Sequence, residues 1–259
     1  MAGAGRAAVR RALAAAADLV LPLRCAGCGS GRGPWCPACR DGLRVTGPGV
    51  GCVPVVDPDD GSVLEVHAAA RFEGSLRRLV SAWKDEDRAD ATGVLVALLA
   101  GALTTALGSE PALRLALVRG EGVLVVPVPT SPAARRRRGG DPVATLARCA
   151  VVAVRGPPAG RRPGLVVVPA LRHRRRVRDQ SRLSRADRRA NLRGALGVRA
   201  RAAPTVRGAT VVVVDDVVTT GATLGEASRA LRRAGAAHVV GVTVARTPRP
   251  GGSRLPTGR

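Results

Sequence analysis

The sequence predicts an α/β fold, a parallel sheet flanked by helices, with a small metal-binding module at its N-terminal side. Three observations carry the prediction. Short β-branched runs alternate with helical patterns through residues 61–246, as in a parallel sheet with crossover helices. Residues 211–223, VVVVDDVVTTGAT, set two carboxylates and a hydroxyl-rich loop between a buried strand and a helix. Four cysteines fall as two C-x-x-C pairs near the start. A chain of 259 residues can bury one α/β core and still carry a small module. The expected division is an N-terminal helix, cysteine module and linker over 1–60, the α/β domain over 61–246 and a disordered tail over 247–259.

Residues 6–23 open with Arg6, Arg10 and Arg11 before an apolar run. Asp18 interrupts that run and no small-residue cleavage site follows, so a signal peptide is disfavoured. An amphipathic helix with Val9, Leu13, Ala17 and Val20 on one side is expected. The cysteines follow as Cys25-x2-Cys28-x7-Cys36-x2-Cys39. Each pair can wrap two thiolates around one metal, with Gly27 and Gly29 easing the turn, and two pairs complete a tetrahedral site. Two disulfides or redox pairs are the alternatives. A chain without an export signal is expected in the reducing cytoplasm, where disulfides are rare, and no thioredoxin-like βαβ context surrounds these pairs. Structural zinc held by Cys25, Cys28, Cys36 and Cys39 is the expectation. Cys149 falls in an apolar helix pattern and is expected in the core. Cys52 falls in a loop with no evident partner.

Residues 42–61, rich in Gly, Pro and Asp, read as a linker. A strand is expected over 62–70 and a helix over 74–83. The longest apolar helix candidate covers 94–107, interrupted by Gly101, Thr104 and Thr105. No run of about 20 apolar residues exists, so no transmembrane span is expected. VLVVPV at 123–128 is a buried strand, followed by Thr130, Ser131 and four consecutive arginines ending at Arg138. A helix over 142–154 and a strand over 165–168 come next. Residues 171–191 are arginine-rich with little periodicity before a short helix near Ser184. Strands over 211–214 and 238–244 enclose a helix over 224–234 closed by Gly235.

Ligands of parallel sheets bind beyond the C-terminal strand ends. Three such ends are expected to converge: the loop after Val128, the segment after Val168, and the acids placed where the strand of residues 211–214 ends. Backbone N–H groups and the helix dipole after Gly221 form an anion site. Asp215 and Asp216 would repel a phosphate but suit sugar hydroxyls or the water shell of Mg²⁺. A Walker B or receiver-type strand also ends in acids, but lacks the TTGAT loop. A P-loop needs G-x-x-x-x-G-K-[ST], and the only lysine is Lys84, which excludes it.

Composition adds one ambiguity. Lys and Arg number 42 against 19 acids, giving a net charge of +23. With a single lysine, the rest is arginine, a one-sided choice that fits the codon bias of a GC-rich genome. Clusters at 135–138 and 172–176 also attract polyanions, DNA included. Two Trp, one Phe and no Tyr leave little for base stacking. His67, His173 and His238 are scattered and are expected to be structural or at the surface.

Residues 211–223 resemble the phosphoribosyl-pyrophosphate (PRPP) motif of type I phosphoribosyltransferases at all 13 positions. The order of blocks from about residue 20 to 246 resembles the ComF family, a phosphoribosyltransferase-like branch that includes proteins linked to DNA uptake in competence. Those blocks are the C-x-x-C module, Arg71-Phe72-Glu73-Gly74 through Lys84, VVPVPTS, and the stretch Arg138-Gly139-Gly140-Asp141. Asp179-Gln180, Leu183-Ser184, Arg188 and Asn191 follow, and the PRPP motif comes last. Two departures stand out. Only Cys52 remains of a second cysteine cluster, and Gly140 and Asp141 stand where the family commonly has an aromatic residue and an Asn.

The resemblance implies a type I phosphoribosyltransferase fold. It implies binding of PRPP with Mg²⁺, transfer of ribosyl 5-phosphate to a nucleophile, and release of pyrophosphate. Thr219, Thr220, Gly221, Ala222 and Thr223 would hold the 5′-phosphate, and Asp215 and Asp216 the ribose hydroxyls. Thr130, Ser131 and Arg138 would meet the pyrophosphate. Arg176, Arg178 and Gln180 would lie in a mobile loop that closes over the reacting centre. The competing expectation is a binding module that senses PRPP or a nucleotide, or that binds DNA beside a DNA-uptake partner.

Overall fold

The computed structural model describes residues 24–43, 51–57, 61–156, 164–174 and 192–248. They form two compact units. Residues 24–43 with 73–94 make one, and residues 51–72 with 95–248 make the other.

The first unit holds the cysteine segment, the short helix α1 (Pro37–Asp41) and helix α2 (Gly74–Asp85). Leu76, Leu79, Val80 and Trp83 form the buried stripe of α2. The Trp83 indole N–H donates to Thr92 Oγ1 at 3.1 Å. Arg88 grips Asp90 with two hydrogen bonds of 2.9 and 2.7 Å, which hold the Asp90 carboxyl below its ordinary range. Helix α3 (Thr92–Ser109) starts here.

The second unit is built on a six-stranded sheet. Its strands are β1 (Cys52–Val56), β2 (Val63–Arg71), β3 (Val123–Pro127), β4 (Leu165–Val167), β7 (Thr210–Val218) and β8 (His238–Arg246), in spatial order β1-β2-β8-β7-β3-β4. All neighbours pair in parallel except the edge pair β1–β2, which is antiparallel. Strands β5 (Leu171–His173) and β6 (Leu196–Val198) form a separate antiparallel pair. The helices are α3, α4 (Pro111–Val118), α5 (Pro132–Arg137), α6 (Pro142–Arg155), α7 (Ala203–Val206) and α8 (Ala222–Arg233). Helix α6 packs on β3, β4 and β7, while α8 packs on β1, β6, β7 and β8. Val211 and Val213 of β7 share one core with Leu224, Ala227 and Leu231 of α8.

Most expected elements are present, and the differences have physical reasons. The expected linker over 42–61 contains β1, where Val55 is buried and Pro54 is exposed at the sheet edge, the position a strand proline tolerates. Cys52 therefore lies in a strand, with partners. Cys149 is exposed, because α6 buries Leu146, Ala147 and Ala150 and turns position 149 outward. Residues 89–109 are long and apolar enough to cross a membrane by length and composition, so among the described residues one candidate span exists where none was expected. Leu95, Leu99 and Leu103 of that helix are nonetheless buried in the protein. Arg246 ends β8, and Thr247 N–H donates to Val218 O at 2.9 Å, so order runs past the expected tail boundary. The expected helices over 6–23 and near Ser184 lie outside the described residues.

Helix α8 ends in a Schellman motif. Gly235 N–H donates to Arg232 O at 2.9 Å and Ala236 N–H to Leu231 O at 3.1 Å, with Gly235 at φ +90°. Its Glu226 is buried at 6 % exposure and anchors three groups. The Glu226 carboxylate takes hydrogen bonds from Arg229 Nε at 2.8 Å, Arg229 Nη2 at 2.6 Å and Leu196 N–H at 3.2 Å, tying β6 to α8. Arg229→Ala is expected to cost about 3 kcal/mol or more, because it strands a buried carboxylate. Glu226→Gln, which keeps an acceptor for Leu196, is expected to cost less. Denaturant midpoints check this; equal midpoints for Arg229→Ala and the parent would show that Glu226 needs no counter-charge.

Candidate functional site

The ladders of β7 are unequal on its two sides. Pairing with β3 runs to Pro127↔Val214, where Val128 N–H donates to Val214 O at 2.8 Å. Pairing with β8 continues through Asp215↔Thr243 to Val218↔Arg246. Asp215 and Asp216 are thus inside β7, not at its end as expected, and project past the end of β3. Alternation along the strand turns Asp215 to the face that carries Val211 and Val213, and Asp216 to the other. Asp216 is buried and Asp215 half-buried. Asp215 Oδ1 accepts from Asp216 N–H at 2.9 Å.

The chain leaves β7 at Val218, passes Thr219 and Thr220, and starts α8 from Gly221. Gly221 has φ +79°, a left-handed conformation that costs other residues about 1–2 kcal/mol. A Cβ there would lie 2.6 and 2.8 Å from the Val55 methyl carbons, so β1 walls the loop. Thr220 Oγ1 accepts from Ala222 N–H at 3.3 Å. Thr219 is exposed, and Ala222 and Thr223 are half-buried at the first turn of α8. The first N–H groups of a helix have no intrahelical acceptor, so this end attracts an anion.

After β3, Thr130 and Ser131 have local duties. Thr130 Oγ1–H donates to Asp141 Oδ1 at 2.9 Å, and the same oxygen takes Ala144 N–H at 3.1 Å, capping α6. Ser131 Oγ caps α5 through Ala134 N–H at 3.3 Å. Arg138 is half-buried at the C-terminal end of α5, while Arg135, Arg136 and Arg137 are exposed. His173 Nε2 donates to Pro129 O at 2.9 Å, fastening β5 to this loop. Strands β7, β3 and β4 are parallel neighbours, so the loops that follow them open at the same edge of the sheet. Arg176, Arg178 and Gln180 lie outside the described residues.

Two site-shaping residues escaped the sequence. Val55 was hidden in the apparent linker, though its alternation with Val53 around Pro54 was a usable signal. Asp141, three residues before Ala144, carried a helix-cap signature. His173, expected to be structural or at the surface, is structural.

In the first unit the four expected cysteines come together. Cys25 Sγ and Cys39 Sγ are 3.7 Å apart, as are Cys28 Sγ and Cys36 Sγ, and all four sulfurs lie within 4.8 Å of one another. Four thiolates bound tetrahedrally at about 2.3 Å would be about 3.8 Å apart, so the set fits zinc. Backbone N–H groups already point at the sulfurs: Gly27 and Cys36 donate to Cys25 Sγ at 3.3 Å, and Gly31 donates to Cys28 Sγ at 3.4 Å. The Gly31 and Ser30 backbone bonds lower the Cys28 thiol to about 6, whereas burial lifts that of Cys39 to about 12. Gly31 permits the packing, since a Cβ there would sit 2.4 Å from Cys36 Cβ. At 3.7 Å these sulfur pairs stand well beyond the roughly 2.05 Å of a disulfide bond, a spacing that fits a shared metal and not S–S pairing. Ser75 Oγ–H donates to Cys39 O at 3.1 Å and Arg78 Nε–H to Gly27 O, fastening the cluster to α2.

The phosphoribosyl transferase domain family matches residues 166–253, which include β7, the loop and α8. The sheet unit thus has the phosphoribosyltransferase-type fold, a mostly parallel sheet flanked by helices. No curated protein matches the chain. A similar solved structure is titled the allosteric regulatory enzyme of purine biosynthesis; it is 22 % identical, covers 60 % of this chain and has a TM-score of 0.34. The chain spans 26 % of that structure's length.

Two outcomes test these local assignments. The cysteine cluster is expected to hold one zinc per chain, and Cys36→Ala with Cys39→Ala should lower bound zinc by one; metal analysis showing no change would sink the assignment. Gly221→Ala is expected to destabilise the protein by about 1–2 kcal/mol from backbone conformation, with a further loss from the Val55 contact. Val55→Ala in the same chain should recover only that further part, as read by thermal melting.

Proposed function

We propose that the chain binds PRPP with Mg²⁺ and transfers its ribosyl 5-phosphate to a nucleophile, releasing pyrophosphate. The supporting observation is the run from β7 through left-handed Gly221 into the N-terminus of α8, with two acids one turn of chain before it. In this reading Thr219, Thr220, Gly221, Ala222 and Thr223 surround the 5′-phosphate, chiefly with backbone N–H groups. Asp215 and Asp216 bind the ribose hydroxyls directly or through metal-bound water, and their charge favours the cation that develops at the anomeric carbon. Mg²⁺ would neutralise the leaving diphosphate. Arg138 contributes positive charge to the diphosphate side, which Thr130 and Ser131 line; Asp141 takes both the hydroxyl and the N–H of Thr130, whereas Ser131 Oγ accepts from Ala134 N–H and keeps its own proton to donate. By the resemblance, Arg176, Arg178 and Gln180, which lie outside the described residues, also belong to this site. The block order along the chain supports the ComF branch, and a four-cysteine metal cluster suits a reducing cytoplasm.

A binding role on polyanions is the second reading. Exposed Arg135, Arg136 and Arg137 favour it, and it is read from the salt dependence of DNA retardation. PRPP calorimetry with and without Mg²⁺ decides between the two.

Asp215→Asn with Asp216→Asn is expected to abolish Mg²⁺-dependent PRPP binding while melting stays near that of the parent. Each lost charge-assisted hydrogen bond costs about 1.5–3 kcal/mol, so two predict a weakening on the order of a hundredfold or more. Thr220→Ala should cost less, because the loop N–H groups survive it. Undiminished PRPP affinity in the double variant would mean that the ribose lies elsewhere.

A further inference from the structure

A second cluster of metal-ligating side chains lies in the sheet unit, apart from both the four cysteines and the acids of β7. Cys52 of β1 and His67 of β2 are direct cross-strand partners. Glu110 is the single residue between α3 and α4, held there because Pro111 starts the next helix. Cys52 Sγ is 4.0 Å and Glu110 Oε1 2.6 Å from the same atom, His67 Nε2. A sulfur, a nitrogen and an oxygen thus converge within 4.8 Å of one another. His67 is only 6 % exposed, and Cys52 and Glu110 are half-buried. Glu65, diagonal to Cys52 across the β1–β2 pair, accepts the thiol hydrogen at 2.9 Å.

We infer that Cys52, His67 and Glu110 form a second divalent-cation site of the zinc type. The donor set is the first argument. One thiolate, one imidazole and one carboxylate suit a borderline-soft ion such as Zn²⁺ and not Mg²⁺ or Ca²⁺, which take oxygen ligands. The second argument is charge. A thiolate and a carboxylate neutralise a doubly charged cation, which a half-buried site favours. The third is geometry. Tetrahedral ligands at about 2.0–2.3 Å stand about 3.3–3.6 Å apart, so metal entry requires the His67–Glu110 pair to open by about 0.7 Å and Cys52 to close slightly. The ion replaces the proton between His67 and Glu110. The thiol proton leaves to Glu65 or water as the Cys52–metal bond forms. Three protein ligands leave the fourth position to Glu65 or a water.

A cysteine-nucleophile triad is the competing reading of the same residues. In a triad the histidine meets the nucleophile through one ring nitrogen and the acid through the other. Here both neighbours meet Nε2, an arrangement that serves coordination and not proton relay.

The test uses the full chain, purified reduced, stripped with a chelator and titrated with Zn²⁺ or Co²⁺ alone. The parent is expected to take two equivalents. Cys52→Ser and His67→Gln should each take one, with the far-ultraviolet dichroism of the parent. Cys36→Ala with Cys39→Ala should keep one, whose cobalt spectrum carries a single weak thiolate-to-metal band that disappears on adding Cys52→Ser. If the cysteine-module variant fails to fold, the count in Cys52→Ser and His67→Gln still decides. A parent that takes one equivalent, or a second equivalent that survives both Cys52→Ser and His67→Gln, overturns the proposal. PRPP binding is not among the readouts, so the outcome is independent of the function proposed above.

Discussion

The unequal pairing of β7 is the constraint on which the candidate site depends. A strand paired on both sides along its whole length would bury its carboxylates against two neighbours. An unpaired segment would leave them on a loop of undefined geometry. Here the ladder to β3 stops at Val214, opposite Pro127, while β8 accompanies β7 to Val218. The backbone of Asp215 and Asp216 is therefore fixed by one ladder, the other having ended just before them. Groups held on a rigid element keep their geometry better than groups on loops. The same strand delivers Thr219 and Thr220 directly to Gly221, whose left-handed turn starts α8 with no intervening slack.

Capping ties the other side of the site to the fold. Asp141 begins α6 and holds Thr130, so the loop after β3 is braced across eleven residues by one carboxylate. His173 adds a brace from β5 through Pro129 O, and β5 is in turn paired to β6, which Glu226 of α8 holds by the Leu196 N–H. A chain of hydrogen bonds thus runs from α8 through β6 and β5 to the loop after β3. Both sides of the candidate site answer to the position of one helix.

What the sequence made legible was local or carried by a spaced motif. Buried strands read from their valine runs, α8 read from its periodicity and Gly235, and the cysteine cluster read from two C-x-x-C pairs. Contacts between residues far apart in the chain were not legible. Cys52, His67 and Glu110 are separated by 15 and 43 residues and obey no spacing rule. Glu226, on the polar-looking side of an amphipathic helix, reads as a solvent charge until β6 is placed over it. Cys149 failed for the opposite reason, since an apolar sequence pattern does not say which side of a helix the sheet covers. The β1 strand was masked by its Gly, Pro and Asp neighbours, which report on turns more strongly than a short edge strand reports on itself. The acids were placed at a strand end because the hydrophobic run stops at Val214, yet a ladder to a single neighbour needs only backbone groups and continues regardless of side chain.

That edge strand links two features that the chain keeps three residues apart. Cys52 and Val55 point to opposite faces of β1. One face meets His67 and Glu65, and the other meets Gly221 at the start of α8. An edge strand has one ladder only, and β1 carries an exposed Pro54 in its middle, so its position against the loop depends on what fastens its ends. At one end Asp57 N–H donates to Ser62 O at 2.8 Å and Gly61 N–H donates to Asp57 O at 2.9 Å. At the other end the fasteners are the Ala68 N–H bond to Gly51 O at 3.2 Å and the Cys52 cluster. Whatever strengthens that cluster also steadies Val55, and Val55 is the wall that keeps the Gly221 turn in the one conformation from which α8 can present its N-terminus.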